Sequence, residues 1–161
     1  MSYDLVHGYS TQSGHHTPLY STPHQLESTD HAIHMLRKAG VPSEKLIIGA
    51  AFYGRFFQIT AGYPVDLYQP GFFSHGFSYK FSSDSLSEKN GFITHWDSIA
   101  QAPYAINEQR RLLATYDNEK SVTLKTQYAL KNNLGGIMFW QLMDDTFKGG
   151  LLEKMAARER E

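Results

Sequence analysis

Leu46-Ile-Ile-Gly-Ala-Ala-Phe-Tyr53 is an unbroken apolar run, entered from Val41-Pro-Ser43 and followed at once by Gly54. Consecutive rather than alternating apolar residues mark a strand covered on both faces, as strands of parallel sheets are. Working back, Ala32, Ile33, Leu36 and Ala39 fall at i, i+1, i+4 and i+7, so Ser28 to Ala39 reads as a helix. Asp30 or Ser28 can cap its start, and Gly40 stands where a helix-ending glycine belongs. A Gly/Ser/His/Thr/Pro-rich loop, His7 to Pro23, precedes it. Met1-Ser-Tyr-Asp-Leu5 reads as another strand. Strand, loop, helix, short turn and strand together make one βαβ unit.

The same pattern returns near the other end. Ser121 to Asn133 reads as a helix with Ser121 as its N-cap. Gly135-Gly-Ile-Met-Phe-Trp-Gln-Leu142 reads as a strand entered through glycines. Leu151, Leu152, Met155 and Ala156 make the stripe of a last helix. Between residues 56 and 117 the pattern changes. Phe77-Ser-Tyr-Lys-Phe81 alternates like an antiparallel strand with one wet face, and a helical segment is expected near Ile106 to Ala114. The expected class is α/β. Residues 1–55 and 118–161 would form a parallel unit, interrupted by a small α+β insertion over 56–117.

Composition removes several functions. The 161 residues carry 15 Lys+Arg against 16 Asp+Glu, a net charge of −1. That gives no electrostatic footprint for nucleic acid or an anionic membrane. No apolar run approaches the ~18–20 residues of a membrane span. Residues 1–20 include Asp4, His7, His15 and His16, which no signal-peptide core tolerates. With no cysteine, disulfides and thiolate metal sites are excluded. No Walker or Rossmann loop and no Gly-x-Ser-x-Gly elbow occurs, so no cofactor is expected. His15-His16, with His7, His24, His31 and His34 nearby, invites a zinc reading. No carboxylate completes a ligand set, and no metal is expected.

The surplus is aromatic: 10 Tyr and 10 Phe beside 13 Gly. Rings stack on the apolar faces of sugars, although most rings in any domain are core. Three short motifs end the expected strands. Tyr3-Asp4 closes the first, where adjacent side chains should point to opposite faces. Tyr53-Gly-Arg55 closes the second; Arg55 there serves either as a tie to the insertion or as a ligand donor. Trp140 closes the last, either as a stacking floor or as core.

In this order, and with an insertion between the last two, the motifs resemble glycoside hydrolase family 18, the chitinases. His15-His-Thr-Pro-Leu-Tyr20, Gly91 to Trp96-Asp97, Ala102-Pro-Tyr104, and Tyr116-Asp117 with Ser121 and Lys125 extend the resemblance along nearly the whole chain. It covers the family's C-terminal half and implies strands six to eight of a (β/α)8 TIM barrel, with their helices and the insertion. A complete barrel takes ~250 residues. Tyr3 and Asp4 would then be supporting catalytic residues. The Tyr3 hydroxyl would bond the substrate's N-acetyl group, and Asp4 would contact the sugars flanking the scissile bond. Met1, Tyr53, Arg55, Trp96, Met138 and Trp140 would bind substrate, Trp140 as the floor of the cleft and Trp96 as an insertion-domain wall.

The resemblance implies β-1,4-linked N-acetylglucosamine polymers (chitin or chitooligosaccharides) as ligand, retaining hydrolysis assisted by the substrate's own acetamido group, and a secreted parent enzyme. The family's general acid ends an Asp-x-x-Asp-x-Asp-x-Glu motif, and none of the aspartates here begins one. The chain alone is therefore expected to be inactive, as part of a larger enzyme. Two alternatives stay open: a lectin-like carbohydrate-binding module, and a barrel segment completed by the missing N-terminal half or a second copy.

Overall fold

The chain changes sheets at Phe52. The computed structural model describes residues 1–157. In chain order the elements that matter are helix α1 (Thr29–Lys38), strands β1 (Ile47–Ala51), β2 (Tyr53–Ile59) and β3 (Gly71–Ser78), and the short helix α2 (Ser82–Ser85). Strands β4 (Ile93–Asp97), β5 (Ala102–Asn107) and β6 (Leu112–Thr115) follow, then helix α3 (Glu119–Lys131), strand β7 (Gly136–Trp140) and helix α4 (Leu151–Ala156). The expected single strand from Leu46 to Tyr53 is thus two. Its first part pairs in parallel with β7, from Ile47 opposite Gly136 to Ala51 opposite Trp140. Phe52 donates its N–H to Trp140 O at 2.8 Å and accepts from Tyr79 N at 2.9 Å. The chain then enters an antiparallel sheet of order β3-β2-β6-β5-β4.

Alternation divides the parallel pair into two faces. Ile48, Ala50 and Phe52, with Ile137 and Phe139, pack beneath Ile33 of α1, Val122, Tyr128 and Ala129 of α3, and Leu151 and Met155 of α4. Phe52 and Phe139 stack with centroids 4.5 Å apart. The opposite face carries Ile47, Gly49, Ala51, Met138 and Trp140 and is far more open: Trp140 is 54% and Ile47 55% exposed.

The helices end where their polar residues direct. Ser28 caps α1, accepting from His31 N, and Gly40 follows with φ +88°. For α3 the cap is Asn118, not Ser121. Ser121 sits three residues on and completes a reciprocal capping box, because its hydroxyl returns to the Asn118 N–H.

Two expected elements are absent. Residues 106–114 form the end of β5, a turn and β6 rather than a helix. Ile106 pairs with Leu113 and Asn107 with Leu112, and the Asn107 side chain accepts the Arg110 N–H to close the turn. Met1 to Leu5 is not a strand. The Ser2 hydroxyl takes the place of a strand neighbour, donating to Gly49 O at 3.0 Å and accepting from Gly49 N at 2.9 Å. Asp4, at φ +59°, then turns the chain away. The alternating Phe77–Phe81 segment is strand only to Ser78 and continues as a single 3-10 turn.

Candidate functional site

Asp4 is a hub. Its Oδ1 accepts the Tyr53 hydroxyl at 2.7 Å and Arg55 Nε at 2.7 Å. Tyr53 and Arg55 sit two apart at the start of β2, so they share a face and converge on one oxygen. The positive φ of Asp4 resolves the expected conflict with Tyr3: a bend, not a strand, lets neighbouring side chains serve one site. Tyr3 packs closely on β1 at Gly49, where an added Cβ would come within 2.8 Å of its ring. Its ring meets Tyr53 edge-on at 6.0 Å, and its hydroxyl points to Met138 Sδ at 3.9 Å. The Arg55 guanidinium stands 5.1 Å from the Phe73 ring centre and 5.7 Å from that of Tyr53.

These contacts set the charges. Burial alone would raise the Asp4 carboxyl. The nearby His16 imidazole, the hydrogen bonds from Arg55 and Tyr53, and the Arg55 charge together outweigh burial and hold it well below the usual carboxylate range. Burial and the bond to Asp4 push the Tyr53 hydroxyl upward, and burial with the Asp4 charge does the same to Tyr3. Both phenols therefore stay protonated and able to donate.

Met138 and Trp140 of β7 lie on the same open face of the parallel pair as Gly49 of β1, against which Tyr3 packs. Met1 precedes the Ser2 anchor and is exposed. Trp96 stands apart. It lies on β4, three strands from β2 across the sheet, with Lys120 Nζ 3.8 Å above its ring. Tyr3, Asp4, Tyr53, Arg55 and Met138 are thus brought together, while no contact joins Trp96 to them among the described residues.

Two features behind the site involve residues that the sequence motifs include but to which the sequence reading gave no role. Lys125 Nζ and Asp117 form a fully buried pair, and Asp117 also accepts from Thr17 Oγ1, Ala51 N and Ser121 Oγ. The four-residue spacing of Asp117, Ser121 and Lys125 was the available signal: Ser121 and Lys125 share a face of α3, and Asp117 stands just before its Asn118 cap. His16 is the other, wholly buried, with Nδ1 3.5 Å from Asp4 Oδ1. The histidines do not gather: His15 goes to Asp97 at 3.1 Å instead. Among the described residues, no three His, Cys, Asp or Glu side chains are grouped so as to hold a metal ion.

The model of the Glycosyl hydrolases family 18 matches residues 1–145. The chain belongs to glycosyl hydrolase family 18. This family 18 chain is 35% identical to a probable endochitinase of Orgyia pseudotsugata multicapsid polyhedrosis virus over 99% of its own length, and spans 30% of that relative. It is 34% identical to Chitinase A1 of Niallia circulans over 68% of its length, spanning 17% of that protein. A family 18 N-acetylglucosaminidase from Paenibacillus barengoltzii superposes with a TM-score of 0.88 at 33% identity, covering 96% of this chain and 46% of that one. The Group IV chitinase of Ostrinia furnacalis, in complex with allosamidin, superposes with a TM-score of 0.83 at 28% identity, covering 92% and 44%. The family 18 chain therefore spans less than half the length of each of these proteins.

Proposed function

We propose that the chain is the C-terminal portion of a chitinase-like catalytic domain and forms one wall of its sugar cleft. In this reading β1 and β7 are the last two strands of a (β/α)8 barrel and Met1 to Leu5 lies where its sixth strand ends, with residues 56–117 as the α+β insertion. The ligand is a β-1,4-linked N-acetylglucosamine chain. One observation carries the reading: Asp4 gathers Tyr53 and Arg55 on one oxygen, beside an open face bearing Met138 and Trp140. The allosamidin complex of the Ostrinia chitinase supports a ligand of this class.

Trp140 offers an exposed ring on which a pyranose can stack. The Tyr3 hydroxyl, held among the described residues by a weak thioether contact, can turn to an N-acetyl group. Asp4 keeps its charge and orients the sugars on either side of the scissile bond. Met1 and Trp96 take the outlying positions. In the retaining mechanism the substrate's acetamido oxygen attacks the anomeric carbon while an acid protonates the leaving oxygen. None of the 161 residues stands in an Asp-x-x-Asp-x-Asp-x-Glu motif. Without that acid, a contribution of typically 10²–10⁴-fold is missing, and the chain alone binds without turnover.

Release of a fluorogenic leaving group from a chitobiose glycoside tests this. We expect none above background, alongside saturable binding of chitooligosaccharides. Turnover at the rate of a complete chitinase would overturn the inactivity, and no sugar binding would overturn the cleft.

A second reading is favoured by the sheet itself. Parallel sheets are normally covered on both faces, yet the pair β1–β7 has two strands and one open apolar face. A second polypeptide, either an N-terminal barrel half or another copy, would complete it. Sizing chromatography of the chain alone distinguishes the two: a monomer with cooperative unfolding argues against completion by a partner.

A further inference from the structure

We propose that His16 is a positioning residue for Asp4: a neutral imidazole, protonated on Nδ1, that fixes which carboxylate oxygen faces the ligand. The inference rests on the reading of Asp4 as a sugar-facing carboxylate. Oδ1 accepts from Tyr53 OH and Arg55 Nε at 2.7 Å each and lies 3.5 Å from His16 Nδ1. Among the described residues Oδ2 accepts no hydrogen bond, and Asp4 is 36% exposed, so Oδ2 is left for a sugar hydroxyl or amide.

The backbone that carries the ring is anchored on both sides. The His16 N–H donates to Thr115 Oγ1 at 3.1 Å, and its carbonyl accepts from Leu5 N at 3.0 Å. Its ring packs 5.3 Å from that of Tyr53, and it is wholly buried. Neither ring nitrogen has a hydrogen bond of good geometry among the described residues. A neutral ring must place its one proton somewhere. On Nδ1 it faces the Asp4 carboxylate; on Nε2 it would be a buried donor with nothing to receive it. An unpaired buried donor costs more than an unpaired lone pair, so Asp4 selects the Nδ1–H form.

The charges around the ring argue for neutrality. Asp4 and Asp117 would favour a second proton, whereas Lys125 on α3 and Arg55 on β2, already bound to Asp4, oppose it. Burial is the largest influence and pushes the imidazole below its ordinary range. A fixed neutral donor at 3.5 Å can close on Oδ1 when ligand draws on Oδ2, without adding a charge to the cleft.

Imidazole ¹⁵N shifts of the full chain test this first, since they need no substitution. We expect His16 protonated at Nδ1, bare at Nε2, and unchanged through the ordinary histidine titration range. The Asp4 carboxyl ¹³C titration is then compared in His16→Leu and His16→Asn. Leu should raise the pH at which Asp4 titrates and weaken chitotetraose binding by roughly tenfold. Asn, which donates but does not titrate, should restore both. An Nε2–H ring, or an Asp4 titration unmoved by His16→Leu, overturns the proposal. If His16→Leu does not fold, the ring tautomer and the Asn variant decide. An Asp4→Asn change without effect on sugar binding, with the Nδ1–H ring found, sinks the cleft reading and leaves the coupling of His16 to Asp4 standing.

Discussion

Lys125 Nζ lies 2.7 Å from Asp117 Oδ2, and both side chains are fully buried. The pair ties three pieces of chain together. Lys125 also donates to Thr17 O at 2.8 Å, fixing the loop that carries His16, while Asp117 receives Ala51 N at 3.0 Å, fixing the end of β1. The strand end and the loop that flank Asp4 are therefore held from behind by one ion pair.

Removing one partner leaves the other charge buried and unpaired. Lys125→Met is expected to cost about 3–5 kcal/mol, read from the midpoint of urea unfolding. The Asp117→Asn/Lys125→Met double variant should lose less than the sum of the single changes, because it strands no charge. Additive losses would show that the pair acts as two separate contacts.

Acid should destabilise the fold through Asp97. The hydrogen bond from His15, against burial, lowers this carboxyl from 3.8 to about 2. Between those values the unfolded chain binds more protons than the folded one. The contribution is thus complete above the unfolded value and is lost as pH falls through about 2. Thermal melts from pH 6 down to ~2 should show a shallower acid decline for Asp97→Asn than for the parent chain. Asp4, lowered in the same sense, adds to that decline.

Helix α4 is capped from a distance. The Asp145 carboxylate accepts the N–H groups of Leu151 and Leu152 at 2.9 Å each and that of Thr146 at 2.8 Å. Asp145→Ala should cost about 1–2 kcal/mol of stability with sugar affinity unchanged. A loss of affinity without loss of stability would instead put this carboxylate in the cleft.

Much of this was legible along the chain, for reasons of period and capping. The run from Leu46 and the glycine-entered strand at Gly136 are parallel neighbours, α1 lies where its apolar spacing puts it, and α3 lies two residues ahead of its expected span. Misreadings fell where a side chain replaced a backbone partner or a turn interrupted a pattern. Ser2 stands in for a strand neighbour, and no periodicity encodes that. The 106–114 segment, read as helical, instead turns at polar residues, where Asn107 closes a hairpin with its own side chain. Within the site, the strand-end motifs led to Asp4, Tyr53 and Arg55. His16 was hidden because a histidine in a polar loop gives no sign that it will be buried. Trp96 illustrates the limit of motif order: it lies three strands away, beneath Lys120.

Tyr53→Phe isolates one bond of the hub. It removes the donor at 2.7 Å from Asp4 Oδ1 while keeping the ring that packs on Tyr3 and His16. Losing a charge-assisted hydrogen bond of about 1.5 kcal/mol should weaken chitotetraose binding roughly tenfold and leave Tm within a few degrees. An unchanged Kd would mean that Asp4 is oriented without the Tyr53 hydroxyl.

The most direct test of the sugar cleft is calorimetric titration of the chain with chitohexaose, repeated with Asp4→Asn and Trp140→Ala. We expect saturable binding to the parent chain, clearly weakened in both variants, with Trp140→Ala losing the stacking platform. Equal affinity in all three proteins, or no heat of binding in any, would contradict the assignment of this face to a carbohydrate.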